Sequence, residues 1–235
     1  MTERTPLVLL PGLGCDERLW AHARTHLADV ADVQGPAILA GTHVAEMATA
    51  VLAEAPRAFA LAGLSMGGYV AMEIMRRAPE RVLRLALVDT KADLDPPEVR
   101  AMRHEALRDI DEGRFEPHVE SRLPALVGPT ALTDPAIVAT VRQMMLNVGP
   151  ERYAQQMHAI MSRPDSLPSL SAIACPTLVL CGREDALTPP DKHAMMAEAI
   201  PRARLVVIEQ CGHLAPIEQP QAVTALLRDW LLHRR

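Results

Sequence analysis

Apolar residues fall along this chain in short consecutive runs rather than in strict alternation with polar ones. The runs are Leu7–Leu10, Ala58–Ala62, Val82–Val88, Thr177–Leu180 and Leu205–Ile208. Each leads into a turn signal: Pro11-Gly12, Gly63, Asp89-Thr90, Cys181-Gly182 and Cys211-Gly212 respectively. Strands covered on both faces, as in a parallel sheet, read in this way. Between the runs the period lengthens to that of a helix. Val44, Met47, Ala48, Val51 and Leu52 share one face behind Thr42 as N-cap, and Val223, Leu226, Leu227, Trp230 and Leu231 share another behind Pro220. Further helices are predicted over Tyr69–Arg77 and from Thr188-Pro189 through Ile200. Strand and helix in alternation predict an α/β fold, a mostly parallel central sheet with helices on both faces and right-handed crossovers.

One stretch breaks the alternation. From Asp93 to Leu170 no strand-like run occurs, and helical patterns appear at Glu98–Asp111, Pro135–Asn147 and Pro150–Met161. The last two begin with a proline suited to a first helical turn, after Asp134 and Gly149. Residues 1–92 and 171–235 are therefore expected to form one core domain, with 93–170 a helical insert over the end of the sheet where ligands bind in such folds.

Composition narrows the classes. With 235 residues, 49% hydrophobic and 23% charged, the chain can bury a substantial core. Its 24 basic against 29 acidic residues argue against a nucleic-acid partner. The apolar stretch within Met1–Leu10 is too brief for a signal peptide, and no run approaches the ~20 residues of a membrane span. A cytoplasmic protein without a membrane partner is the expectation. Cys15, Cys175, Cys181 and Cys211 lack C-x-x-C spacing, so neither a metal site nor a disulfide framework is expected.

Gly63-Leu64-Ser65-Met66-Gly67-Gly68 matches G-x-S-x-G between a predicted strand and a predicted helix. Side chains two residues either side of a serine on so tight a turn would collide with the adjoining strand and helix, and glycine removes them. The turn would present the Ser65 hydroxyl at a helix N-terminus, which favours developing negative charge. The plainer reading is a glycine-rich turn whose serine caps the helix. A nucleophilic serine needs a base and a group to orient that base. Of nine histidines, His22, His26, His43, His193 and His233 fall in polar or helix-edge positions, and His104, His118 and His158 in the insert. His213 alone follows a strand on a loop, after both the serine and an acidic loop. Asp185, in Gly182-Arg183-Glu184-Asp185, is the preferred acid over its solvated neighbour Glu184. Asp89, at another strand end, is a second candidate that could instead collect backbone N–H groups.

The order Ser65, Asp185, His213 resembles that of the α/β-hydrolase superfamily, and the resemblance runs from Leu7 to the last helix. Gly63–Gly68 and Cys211-Gly212-His213, with Pro216 and Glu218, are similar to small bacterial carboxylesterases and enol-lactonases. The resemblance implies a serine hydrolase acting on a small carboxylic ester or lactone, without metal or organic cofactor. It implies an oxyanion hole from the backbone N–H groups of Leu13 and Met66, and a cap domain made by the insert. Pro11 stands where many relatives carry histidine before the loop glycine. The same three residues could serve C–C bond hydrolysis, enol-lactone opening, perhydrolysis or cyanohydrin cleavage, or the fold could serve as a non-catalytic ligand-binding module. Met102, Met144, Met145, Met157 and Met161 in the insert read either as an adaptable acyl pocket or as core packing. Acidic residues outnumber basic ones between Lys91 and Asp165, which favours a compact, uncharged substrate over a dianionic one.

Overall fold

In the computed structural model, which describes residues 4–232, each of the five apolar runs falls in a strand, except that Ala58 precedes the start of its strand at Phe59. The strands are β1 (Thr5–Leu10), β2 (Ala31–Gln34), β3 (Phe59–Leu64), β4 (Val82–Val88), β5 (Thr177–Gly182) and β6 (Ala203–Ile208). They form one sheet in the order β2-β1-β3-β4-β5-β6, and every neighbouring pair is parallel. β2 was not expected from the pattern. It is a short edge strand that buries Ala31 but leaves Asp32 exposed, so it lacks the continuous apolar run of the central strands.

Alternate residues of each strand feed two cores. Leu7 and Leu9 point to one face, where α1 (Ala21–His26) supplies Ala23 and α9 (Pro220–Leu232) supplies Val223, Leu227 and Trp230. Val8 and Leu10 point to the other, packed by α2 (Val44–Glu54), α3 (Met66–Arg77) and α7 (Pro190–Ala199). Three starts differ from expectation. His43, not Thr42, is the N-cap of α2; the Thr42 amide and hydroxyl both donate to the Glu46 carboxylate, at 3.0 and 3.3 Å. α3 begins at Met66 rather than Tyr69, because Ser65 itself is the residue before the first helical turn. α7 begins after Pro189, and the Thr188 side chain is engaged elsewhere.

Between β4 and β5 the chain is helical: α4 (Pro97–Asp111), α5 (Phe115–Leu126) and α6 (Pro135–Ser162). α5 escaped the periodicity because Pro117 and Pro124 interrupt its pattern, yet its Phe115 and Val119 pack against Leu107, Val148 and Tyr153 in a small third core. α6 spans both predicted helices, and the break falls at Gly149, whose φ of 76° leaves helical geometry. A single turn, α8 (Ala215–Glu218), precedes α9. Cys15, Cys175, Cys181 and Cys211 are free thiols. Among the described residues no helix is long and apolar enough to cross a membrane, and no group of three or more His, Cys, Asp or Glu side chains could hold a metal ion.

Candidate active site

Ser65 occupies the single-residue turn between β3 and α3, with φ 52° and ψ −113°. Such a conformation costs a non-glycine residue about 1–3 kcal/mol and persists only where neighbours dictate it. Here the Ser65 N–H donates to the Val88 carbonyl at 3.0 Å, and the Ser65 carbonyl accepts from the Thr90 hydroxyl at 2.8 Å. A β-carbon on Gly63 would lie 2.3 Å from the Gly67 carbonyl oxygen, and one on Gly67 would lie 2.4 Å from that of Leu10. Strand and helix can approach this closely only where those side chains are missing.

His213 comes to Ser65 from the loop after β6. Its Nε2 lies 3.0 Å from Ser65 Oγ, and its Nδ1 lies 2.8 and 3.0 Å from the Asp185 oxygens. An ionised Asp185 only accepts, so Nδ1 carries the proton and Nε2 is left to accept from the serine hydroxyl. Both partners are almost wholly buried. Asp185 also accepts from the amides of Leu187 and Thr188 at 2.9 Å each, and from the Thr188 hydroxyl at 2.6 Å. Burial pushes the Asp185 carboxyl up, but His213 and Thr188 outweigh it and hold the group below its usual range.

Asp89 does not share this place. Wholly buried, its carboxylate accepts from the amides of Gly182 and Ala215, at 3.0 and 3.1 Å. Burial and the nearby Asp185 push it well above the ordinary carboxylate range. Glu184 is exposed. A further acid, Glu218, accepts from the amides of Gly128, Gly212 and Leu214 at 2.9, 2.9 and 3.0 Å, tying the His213 loop to the chain after α5.

A cavity of about 470 Å³ opens over Ser65 and His213 and is lined by Leu13, Met102, Met145 and Met157, among others. Met144 packs in the sheet core instead, and Met161 only borders the core between the insert helices. Leu13 stands in a tight turn closed by the Cys15 N–H donating to the Gly12 carbonyl at 3.2 Å. The next amide, Gly14 N–H, donates to the Gln156 side-chain oxygen at 3.0 Å, while the Gln156 amide group donates to the Leu39 carbonyl at 2.8 Å. Gln156 on α6 thus holds the loop in position. Met66 N–H is the first amide of α3, ahead of those of Gly68 and Tyr69, which donate to the Ser65 carbonyl at 2.9 and 3.3 Å.

His193 was expected at a polar or helix-edge position and is instead fully buried. Its Nε2 accepts from the Thr90 N–H at 2.9 Å and its Nδ1 faces the Pro189 carbonyl at 3.3 Å, so the neutral ring links the Ser65 side of the site to the Asp185 loop. Burial pulls its pKa down to about 4. His118 is buried beside Tyr153, with Nε2 and the phenol oxygen 3.2 Å apart; His233 lies outside the described residues. The contacts made by Thr188, Gln156, His193 and Glu218 were not read from the sequence. Two of them carried a signal: Thr188, three residues beyond Asp185, because an aspartate readily accepts from backbone that close, and Glu218, as part of the resemblance around His213.

Residues 10–220 match the family described as the alpha/beta hydrolase fold. The chain is 33% identical to a thermophilic esterase from Thermogutta terrifontis, with a TM-score of 0.87 over 97% of this chain and 89% of that one. It is 25% identical to the enol-lactonase from Burkholderia xenovorans LB400, with a TM-score of 0.88 over 98% and 92%. It is also 30% identical over 175 residues to BpoC of Mycobacterium tuberculosis, named for non-heme bromoperoxidase; that match covers 71% of this chain and 65% of BpoC, just under two thirds of its length.

Proposed function

The chain belongs to the α/β-hydrolase fold family, and from that membership we propose that it is a serine hydrolase cleaving a small carboxylic ester or lactone through an acyl-enzyme on Ser65. The observation that carries the reading is the continuous line from Asp185 through both nitrogens of His213 to Ser65 Oγ, at 2.8 and 3.0 Å. His213 Nε2 takes the hydroxyl proton as Ser65 attacks the carbonyl, and Asp185 fixes the ring's tautomer and stabilises the imidazolium that forms. The tetrahedral oxyanion is received by the N–H groups of Leu13 and Met66, each worth about 3–4 kcal/mol of barrier in comparable sites. His213 then returns the proton to the leaving alcohol, and water releases the acid by the same steps in reverse order of roles.

Residues 93–170 act in this reading as a cap, because α4, α5 and α6 supply much of the cavity wall. The test is a fluorophosphonate label mapped to its peptide, run beside a series of p-nitrophenyl esters of increasing chain length. Labelling at Ser65, ester turnover and loss of both in Ser65→Ala are expected. No label and no turnover on any ester favours a non-catalytic binding module, and full turnover by Ser65→Ala overturns the nucleophile.

A further inference from the structure

Charge is unevenly distributed around the cavity. Asp95 lines it and is only 6% exposed, yet three cations converge on its carboxylate. Lys91 Nζ lies at 2.9 Å, Arg103 Nε at 2.8 Å, and Arg163 Nη1 and Nη2 at 3.2 Å each. The adjoining Asp93 is held by Lys192 Nζ at 2.7 Å, with Lys91 Nζ more distant at 3.8 Å. Four cations thus meet two carboxylates, and the corner keeps a positive surplus around the buried Lys91, Arg163 and Asp95. Burial pushes the Asp95 carboxyl up, but Arg103, Arg163 and Lys91 prevail and hold it far below its usual value.

The cations differ in what they have left to give. Arg163 is committed: its Nη2 donates to the Asp93 carbonyl at 2.7 Å, its Nη1 to the Ile160 carbonyl at 2.9 Å, and its guanidinium lies over the Tyr69 ring at 4.2 Å. Arg103 is not. Only its Nε meets a carboxylate, and its Nη1 rests on the Met157 sulfur at 3.3 Å, a weak acceptor. Arg103 and Lys91 both line the cavity, as does Ser65. The acids across the cavity do not cancel them, since Glu105 is exposed and Asp109 is bound by Arg114.

We propose that Lys91 and Arg103 form an anion subsite for a free carboxylate on the substrate, so that the preferred substrate is a half-ester of a small dicarboxylic acid. That the ligand is a substrate rests on the ester-hydrolase reading above; the anion subsite stands on its own geometry. A carboxylate entering beside Met157 accepts from the unspent Arg103 N–H groups, the charge-assisted pairing for which guanidinium is best suited, while Lys91, whose Nζ already meets Asp95 at 2.9 Å and the Leu94 carbonyl at 3.4 Å, adds its charge. The count along the sequence pointed to an uncharged substrate. Folding reverses that by gathering Lys91, Arg103 and Arg163 on one carboxylate while Glu98, Asp111, Glu112 and Glu116 face solvent.

Two measurements test this. Hydrolysis of monomethyl glutarate is compared with that of its neutral isostere, methyl 4-carbamoylbutanoate, by pH-stat, and binding of glutarate is compared with binding of glutaramide by calorimetry. The wild type is expected to favour the anionic ester about tenfold to a hundredfold in kcat/KM, the span of one charge-assisted hydrogen bond. Arg103→Met and, separately, Lys91→Met should bring that ratio toward one and weaken glutarate binding. Asp95 retains Arg163 in both variants. Turnover of both esters without preference, and no glutarate binding beyond that of glutaramide, overturns the subsite and leaves the hydrolase reading standing. Glutarate binding lost in Arg103→Met, with neither ester turned over and Ser65 unlabelled, supports the subsite and overturns the hydrolase reading.

Discussion

Acidification should expose His193 as a stability switch. The ring is buried and neutral, with Nε2 accepting from Thr90 N–H at 2.9 Å, so a proton on Nε2 would face a donor and lose water at once. Its pKa is about 4 in the folded chain against 6.5 for the free side chain, a gap of about two and a half units. The folded value is the lower one, so between these limits the unfolded chain binds a proton that the folded chain refuses. Stability from this residue is complete above about pH 6.5 and falls as pH drops toward 4. At roughly 1.4 kcal/mol per unit, the full loss is about 3 kcal/mol, and about 2 kcal/mol of it has gone by pH 5. His193→Gln offers an amide oxygen at the Nε2 position and has no proton to take up. Urea unfolding of both proteins at pH 8 and pH 5 should show the wild type losing about 2 kcal/mol more than the variant. If the two stabilities fall in parallel, His193 is not the group that titrates and its burial does not weaken the fold in acid.

Four further outcomes follow from the same geometry. Gly67→Ala drives a β-carbon to within 2.4 Å of the Leu10 carbonyl oxygen; it should cost roughly 1–3 kcal/mol or more and lower the melting temperature by several degrees, read by calorimetry. Gln156→Leu leaves the buried Gly14 N–H without its acceptor, which should cost about 1–3 kcal/mol in urea unfolding and lower kcat more than it raises KM as the Leu13 amide drifts. Asp185→Asn should lower ester kcat by about a thousandfold or more, because an amide no longer imposes the His213 tautomer. Asp89→Asn should instead act on stability, by about 1–3 kcal/mol, through the amides of Gly182 and Ala215; equal losses of kcat in the two variants would contradict their assignment.

Much of this protein is written locally. Runs such as Leu7–Leu10, and Leu85–Val88 within β4, are apolar at every position because there the central strands are covered on both sides, and that property survives without knowing what covers them. The turn at Ser65 is equally legible, since the glycines are required by contacts that span only a few residues or the adjacent strand. Prolines hid α5 and a half-exposed edge hid β2, because in both cases packing against distant segments, rather than local pattern, supplies the stabilisation. Sequence also preferred Asp185 as the carboxylate beside His213 but left Asp89 as a second candidate. Both end strands on the same edge of the sheet, and only the fold hands Asp89 to the amides of Gly182 and Ala215 while turning Asp185 onto the imidazole. The supports from Gln156, His193 and Glu218, and the cations gathered at Asp95, join residues far apart in the chain. Hydrophobic period reports which face a residue presents, but a buried polar contact depends on which segment lies opposite, and that is decided by tertiary packing alone.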